Sequence, residues 1–143
     1  MRVLGLDVGD KRIGVALSDE TGLLASPLST LQRVGPRQDP KTVAALVREH
    51  GVAVVVVGLP YNLDGSIGPQ AEKVRAFAEA LKPVVRVPVR FWDERLTSVE
   101  AEQILAEREV PWQRRKGLVD QVAAVLILQG YLDAHPRPAP AAS

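Results

Sequence analysis

The stretch Val-Ala-Val-Val-Val-Val-Gly at positions 52–58 constrains this chain more than any other. A continuous β-branched run has none of the polar alternation of a half-solvated strand, so it predicts a strand buried on both faces of its sheet. Helical patterns precede and follow it in the sequence. Ahead of it, Asp39-Pro40 reads as an N-cap followed by proline at the first helical position. Val43, Leu46 and Val47 form the stripe of that helix and Gly51 its stop. Behind it, the loop 59–68 leads to a helix opening at Pro69, with Val74, Phe77, Ala78 and Leu81 at i, i+3, i+4 and i+7.

The remaining elements complete a mixed sheet. Two apolar runs, 2–9 and 12–19, are separated by Asp10 and Lys11 and read as a β-hairpin, with a third strand from about Leu23 to Leu31 completing a meander. Val85, Val87, Val89 and Phe91 alternate as a fifth strand, and Pro88 places it at a sheet edge. Thr97-Ser98-Val99-Glu100 is a capping-box pattern, 108–117 reads as a basic loop, and a last helix runs from about Leu118 to Leu132. The order predicts an α/β fold: a five-stranded mixed sheet, three antiparallel strands followed by two crossover-linked ones, flanked by helices. One domain is expected over 1–133, followed by a Pro/Ala-rich tail, 134–143, expected to be disordered.

Composition narrows the chemistry. At 143 residues and 46% hydrophobic content, a core can form without staples. The absence of cysteine excludes disulfides and thiolate metal sites, and two histidines, His50 and His135, argue against zinc. No signal-peptide pattern and no apolar run of membrane-spanning length is visible, so a cytoplasmic protein is expected. A net charge of +1 neither demands nor forbids a polyanionic partner.

Asp7 stands out because it interrupts the apolar first strand just before Gly9. Alone, it is a turn aspartate capping the hairpin backbone. Two observations favour a different role. On a helical wheel Asp120 shares its face with Ala123, Ala124, Ile127 and Tyr131, a side that otherwise looks into the core. A carboxylate near the helix start could instead answer the helix dipole, which explains its axial position but not its face. Asp93 and Glu94 close the fifth strand, where a solvated cluster paired with Arg95 is the bland alternative. Parity groups Asp93 with Val87, Val89 and Phe91, and Glu94 with Arg90 and Trp92. If the fifth strand flanks the fourth and the fourth the first, these acids lie two strand spacings, roughly 10 Å, from Asp7. Three acids would then converge in an all-oxygen cluster suited to magnesium or manganese, and to phosphodiester hydrolysis.

The blocks "GLDVGDKRIGVALSD", "VVGLPYNLDGSIGPQA", "DERLTSVEAE" and "VDQVAAVLILQGYL" occur in this order between Gly5 and Leu132, within a match that starts at about Val3. Together they resemble the YqgF family of pre-16S rRNA nucleases, also described as Holliday-junction-resolvase-like, within the RNase H superfamily. The resemblance implies an RNase H-like fold and a Mg2+- or Mn2+-dependent nuclease acting in 5′-end maturation of small-subunit rRNA. Its catalytic, metal-binding acids would be Asp7, Glu94 and Asp120, with Asp93 as the alternate. One departure is visible: related resolvases place an acid at the end of the fourth strand, where this chain reads Gly58-Leu59-Pro60, so the neighbouring strand must supply a stand-in.

Candidate substrate contacts are Lys11, Arg12, Asn62, Asp64, Gly65 and Arg95. The segment Asn62–Ser66 is also plain turn chemistry, and resemblance tips it toward a substrate-facing role. Arg114, Arg115 and Lys116 beside Trp112 combine cations with an aromatic, as nucleic-acid contacts do, or form a solvated helix start. Expected partners are pre-rRNA, branched DNA and ribosomal precursor particles, with the protein a monomer or homodimer. Two other readings are open. A sugar-kinase or actin-like ATPase shares Asp-x-Gly on its first strand, but requires Ser or Thr where this chain has Asp10 and Lys11, and a second domain. A non-catalytic nucleic-acid-binding module would have little reason to keep the three acids.

Overall fold

The computed structural model describes residues 1–94, 107 and 112–135, the last segment with its side chains from 118 onward. Strands β1 (Arg2–Val8), β2 (Arg12–Ser18) and β3 (Ala25–Gln32) precede helix α1 (Gln38–His50). Strand β4 (Val52–Leu59), helix α2 (Pro69–Val85), strand β5 (Val89–Asp93) and helix α3 (Trp112–Ala134) follow. The sheet order is β3-β2-β1-β4-β5. β1 and β2 pair antiparallel, as do β2 and β3, whereas β4 runs parallel to both β1 and β5. The valine run is therefore a central strand, and β5 lies two positions from β1, as the sequence predicts.

Each face of the sheet carries its own core. Leu4, Leu6, Val8, Val55 and Val57 pack against Val43 and Val47 of α1 and Val74 and Leu81 of α2. Their alternates, Val3, Ala16, Val54 and Val56, pack against Ala124, Ile127 and Leu128 of α3. Val55, Val56 and Val57 are 0% exposed, which is why the run tolerates no polar residue on either parity.

Three boundaries differ from the sequence reading, each for a physical reason. Asp39 is not the N-cap of α1; Arg37 holds that position without a side-chain cap bond. The carboxylate of Asp39 turns back onto the preceding loop instead, accepting the Val34 N–H at 2.9 Å and pairing with Arg33 Nε at 2.9 Å. Val85 ends α2 rather than starting β5: it follows Leu81 by four residues on the same buried stripe, and the helix runs two residues beyond Pro83. The basic stretch predicted as a loop is helical from Trp112, so Arg114, Arg115 and Lys116 belong to the first turns of α3. The capping-box pattern at 97–100 and the tail beyond His135 lie outside the described residues. Among the described residues, no helix is long and apolar enough to cross a membrane.

Candidate active site

Asp7 points to the α3 side of the sheet because strand alternation places it with Val3 and Gly5, opposite Leu6 and Val8. Its neighbours on both flanking strands are glycines. Gly14 is its pairing partner on β2. On β4, Val57 pairs with Leu6, so the next residue, Gly58, lies beside Asp7. A Cβ at Gly14 would stand 1.9 Å from the backbone oxygen of Asp120, so α3 rests directly on β2 at that point. A Cβ at Gly58 would stand 2.8 Å from Glu94 Oε2 and 2.4 Å from Ile127 Cδ1. The two glycines make the space into which the other acids reach.

Glu94 is the first residue past β5, and its N–H donates to the Leu59 carbonyl at 3.2 Å, continuing the strand register. Its parity is that of Trp92, the α3 side. The carboxyl group lies over Gly58 and shares a hydrogen bond with Asp7. Burial drives the Asp7 pKa up, the hydrogen bond from Glu94 opposes this, and the negative charge of Asp120 adds to the rise. Glu94 is pushed up as well, by burial first, then by the Asp7 charge and the hydrogen bond between them, and then by Asp93. Both shifts describe two adjacent acids that resist ionising together. Asp93 falls on the other parity and is exposed. Of the two adjacent acids, Glu94 is the one brought to Asp7.

Asp120 is the ninth residue of α3, two turns past the helix start, so an interaction with the helix dipole no longer accounts for it. It reaches the site on the face shared with buried Ala123, Ala124 and Ile127. Arg12 Nε donates to Asp120 Oδ2 at 2.9 Å, both side chains being partly buried. Among the described residues, no three acids or histidines close on one point as a complete ligand set. The arrangement is a hydrogen-bonded carboxyl pair with a third carboxylate nearby, engaged by an arginine.

The other candidates surround this centre unevenly. Lys11 is exposed in the β1–β2 turn. Asn62, Asp64 and Gly65 form a turn closed on itself. The Gly65 N–H donates to the Asn62 carbonyl at 2.8 Å, Asn62 Nδ2 to Ser66 Oγ at 2.9 Å, and the Ser66 N–H to Asp64 Oδ1 at 2.9 Å. The Ser66 hydroxyl and N–H hold Asp64 below the usual carboxylate range. This turn leaves the carboxyl end of β4 immediately after Gly58-Leu59, the end at which the acids gather. Arg95 lies outside the described residues. Gly14 and Gly58 are the site-forming residues that the sequence reading missed; the hairpin register, which sets Gly14 across from Asp7, was the available signal.

Two adjacent carboxyl groups joined by a hydrogen bond, with oxygen as the only donor atom, have the chemistry to hold a hard divalent cation. Similarity to known proteins identifies the family. A family model described as "RuvX: Holliday junction resolvase" matches residues 1–134. This chain belongs to the RuvX (YqgF) family. A relative from Moorella thermoacetica, named "Putative pre-16S rRNA nuclease", is 54% identical over 133 residues, covering 93% of this chain and 95% of its own. One of the same name from Clostridioides difficile is 51% identical over 132 residues, covering 92% and 94%. Among solved structures, T. thermophilus RuvC in complex with a Holliday junction substrate superposes with a TM-score of 0.61 at 18% identity, covering 94% and 95% of the two chains. The fowlpox virus Holliday junction resolvase gives 0.59 at 12% identity, covering 94% and 99%. These likenesses establish the RNase H-like fold. Membership of the RuvX family makes the chain a nuclease, a hydrolase of phosphodiester bonds.

Proposed function

We propose that this protein is a metal-dependent endonuclease that processes the 5′ end of precursor 16S rRNA. The observation that carries the reading is the half-buried Asp7–Glu94 carboxyl pair, joined by a hydrogen bond at the carboxyl ends of β1 and β5. In this proposal Asp7 and Glu94 hold Mg2+ or Mn2+, which commonly binds through one or two carboxylates plus substrate phosphates, and Asp120 completes the set. Bound there, the ion supplies an activated water as nucleophile and neutralises charge on the leaving oxygen. To hold the cation, Glu94 would be ionised and Asp120 would give up its contact with Arg12, which with Lys11 would then be available to substrate phosphates. The turn 62–66 borders the bound strand. The names of relatives near 50% identity favour the RNA substrate.

A second reading, cleavage of branched DNA, rests on the family's printed description and on the likeness to the RuvC fold. One experiment addresses both. Purified protein with Mn2+ or Mg2+ is offered a 5′-extended 16S rRNA segment and a four-way DNA junction. Cleavage of the RNA, abolished in Asp7→Asn with binding retained, is expected. Cleavage that survives both Asp7→Asn and Asp120→Asn overturns the assignment of the acids, and cleavage of the junction alone supports the second reading.

A further inference from the structure

On the α1/α2 face of the sheet, a groove of about 670 Å3 runs along α1 from Lys41 to Gly51 and past the end of α2, within the ~300–1,000 Å3 range of ligand sites. Its floor is apolar: Val84 and Val87, half-buried, over the buried Val47, Val52 and Val85. Its lips are cationic, with Lys41 and Arg48 on α1 and Arg86 at the end of α2, and no acidic residue lines it. Lys41 and Arg48 are seven residues apart and so share a helix face. None of the three cations joins an ion pair among the described residues, whereas Arg33, Lys73, Arg75 and Lys82 all do. Arg86 is also the one non-glycine residue with positive φ among the described residues, at φ 58° and ψ 23°. The corresponding position after α1 is Gly51, at φ 62°, the residue that this conformation favours. The chain thus keeps a guanidinium on the groove at a position where glycine would be conformationally easier.

We propose that this groove docks an acidic, amphipathic segment of a protein partner, its apolar side chains on the valine floor and its carboxylates against Lys41, Arg48 and Arg86. Helix-in-groove recognition has this pattern of apolar anchors with a charged rim. A nucleic-acid strand would meet the cations but leave the apolar floor uncovered, since protein–nucleic acid interfaces are predominantly polar. The groove lies on the face covered by α1 and α2, whereas the acids point to the α3 face, so a docked partner leaves the acids accessible. The proposal stands independently of the nuclease assignment.

The test is fluorescence anisotropy on the full chain, with a capped, fluorescein-labelled peptide of Glu and Leu patterned at i, i+3 and i+4. Saturable binding is expected, weakened by salt. Arg86→Gly should weaken it about two- to fivefold, the range for one exposed charge pair, without lowering the melting temperature, because glycine suits the backbone there. Lys41→Ala/Arg48→Ala should weaken it further, and cleavage by all these variants should match that of the parent. Failure to bind, equal binding of a Lys/Leu peptide of the same pattern, affinity unchanged in the variants, or displacement by a single-stranded RNA 12-mer each overturns the proposal. The last outcome would assign the groove to nucleic acid.

Discussion

Asp7 shows how a single residue changes meaning with its neighbours. A strand-end aspartate is ordinary turn chemistry. Flanked by Gly14 and Gly58 and hydrogen-bonded to Glu94, it becomes half of a carboxyl pair whose members both resist ionisation. Removing one charge should relieve the pair, so Asp7→Asn is expected to stabilise the metal-free protein at pH 7–8 by ~1 kcal/mol or more, a rise of about 3–5 °C in melting temperature, while abolishing cleavage. Calorimetry and a cleavage assay on the same preparation check both. The glycines should differ in kind. At Gly58 the added methyl meets two movable side-chain ends, Ile127 Cδ1 and Glu94 Oε2, so Gly58→Ala should cost about 1–3 kcal/mol and displace Glu94, lowering cleavage more than stability. At Gly14 it meets the backbone of α3, so Gly14→Ala should destabilise more than Gly58→Ala, readable as the lower denaturation midpoint of the two. Arg12 competes for Asp120 at 2.9 Å, so Arg12→Ala should tighten Mn2+ binding in titration calorimetry while weakening nucleic-acid binding.

At the scale of elements, hydrophobic periodicity located the helices and strands, and side-chain partners from distant elements moved the ends. The stripe of α2 was legible through Val74, Phe77, Ala78 and Leu81, yet assigning Val85 required knowing that Val89, not Val87, first pairs with β4. α1 turns on Asp39, a residue only 4% exposed, whose carboxylate serves the Val34 N–H, the Gly35 N–H and Arg33 rather than its own helix start. Burial raises its pKa, but those donors outweigh it and the group sits below the usual range. A depressed folded-state value means stability that is present above the ordinary aspartate pKa and lost as pH falls through the folded one. Asp39→Ala should therefore cost about 2 kcal/mol near neutral pH, and the difference from the parent should shrink in acid, as followed by urea denaturation. α3 gives the opposite lesson: its face was legible from Asp120, Ala123, Ala124 and Ile127, but its start was not. The run 112–117 has no apolar period to announce a helix.

The whole molecule sums these local charges into one pH response. Asp7 and Glu94 bind protons more tightly folded than unfolded, so between the ordinary carboxylate range and their raised values the folded state holds more protons. Stability of the metal-free chain then falls as pH rises through that window. A cation that binds the folded site offsets the loss by mass action, so the melting temperature at pH 8 should climb with added Mn2+, and the climb should vanish in Asp7→Asn. The fold itself was largely written in the chain. The valine run demanded a doubly covered strand, the hairpin and crossovers followed from spacing, and the order β3-β2-β1-β4-β5 leaves β1 beside β4. The acids Asp7 and Asp120 were legible too, because a carboxylate on an otherwise apolar face contradicts its surroundings. Sequence could not choose between Asp93 and Glu94, since a strand that is ending no longer enforces alternation. The choice fell to tertiary structure, through one hydrogen bond from Glu94 to the Leu59 carbonyl and the absent side chain at Gly58, which opens the path to Asp7. Periodic burial is a local property and can be read along a chain, whereas the gap between two strands exists only once they have paired.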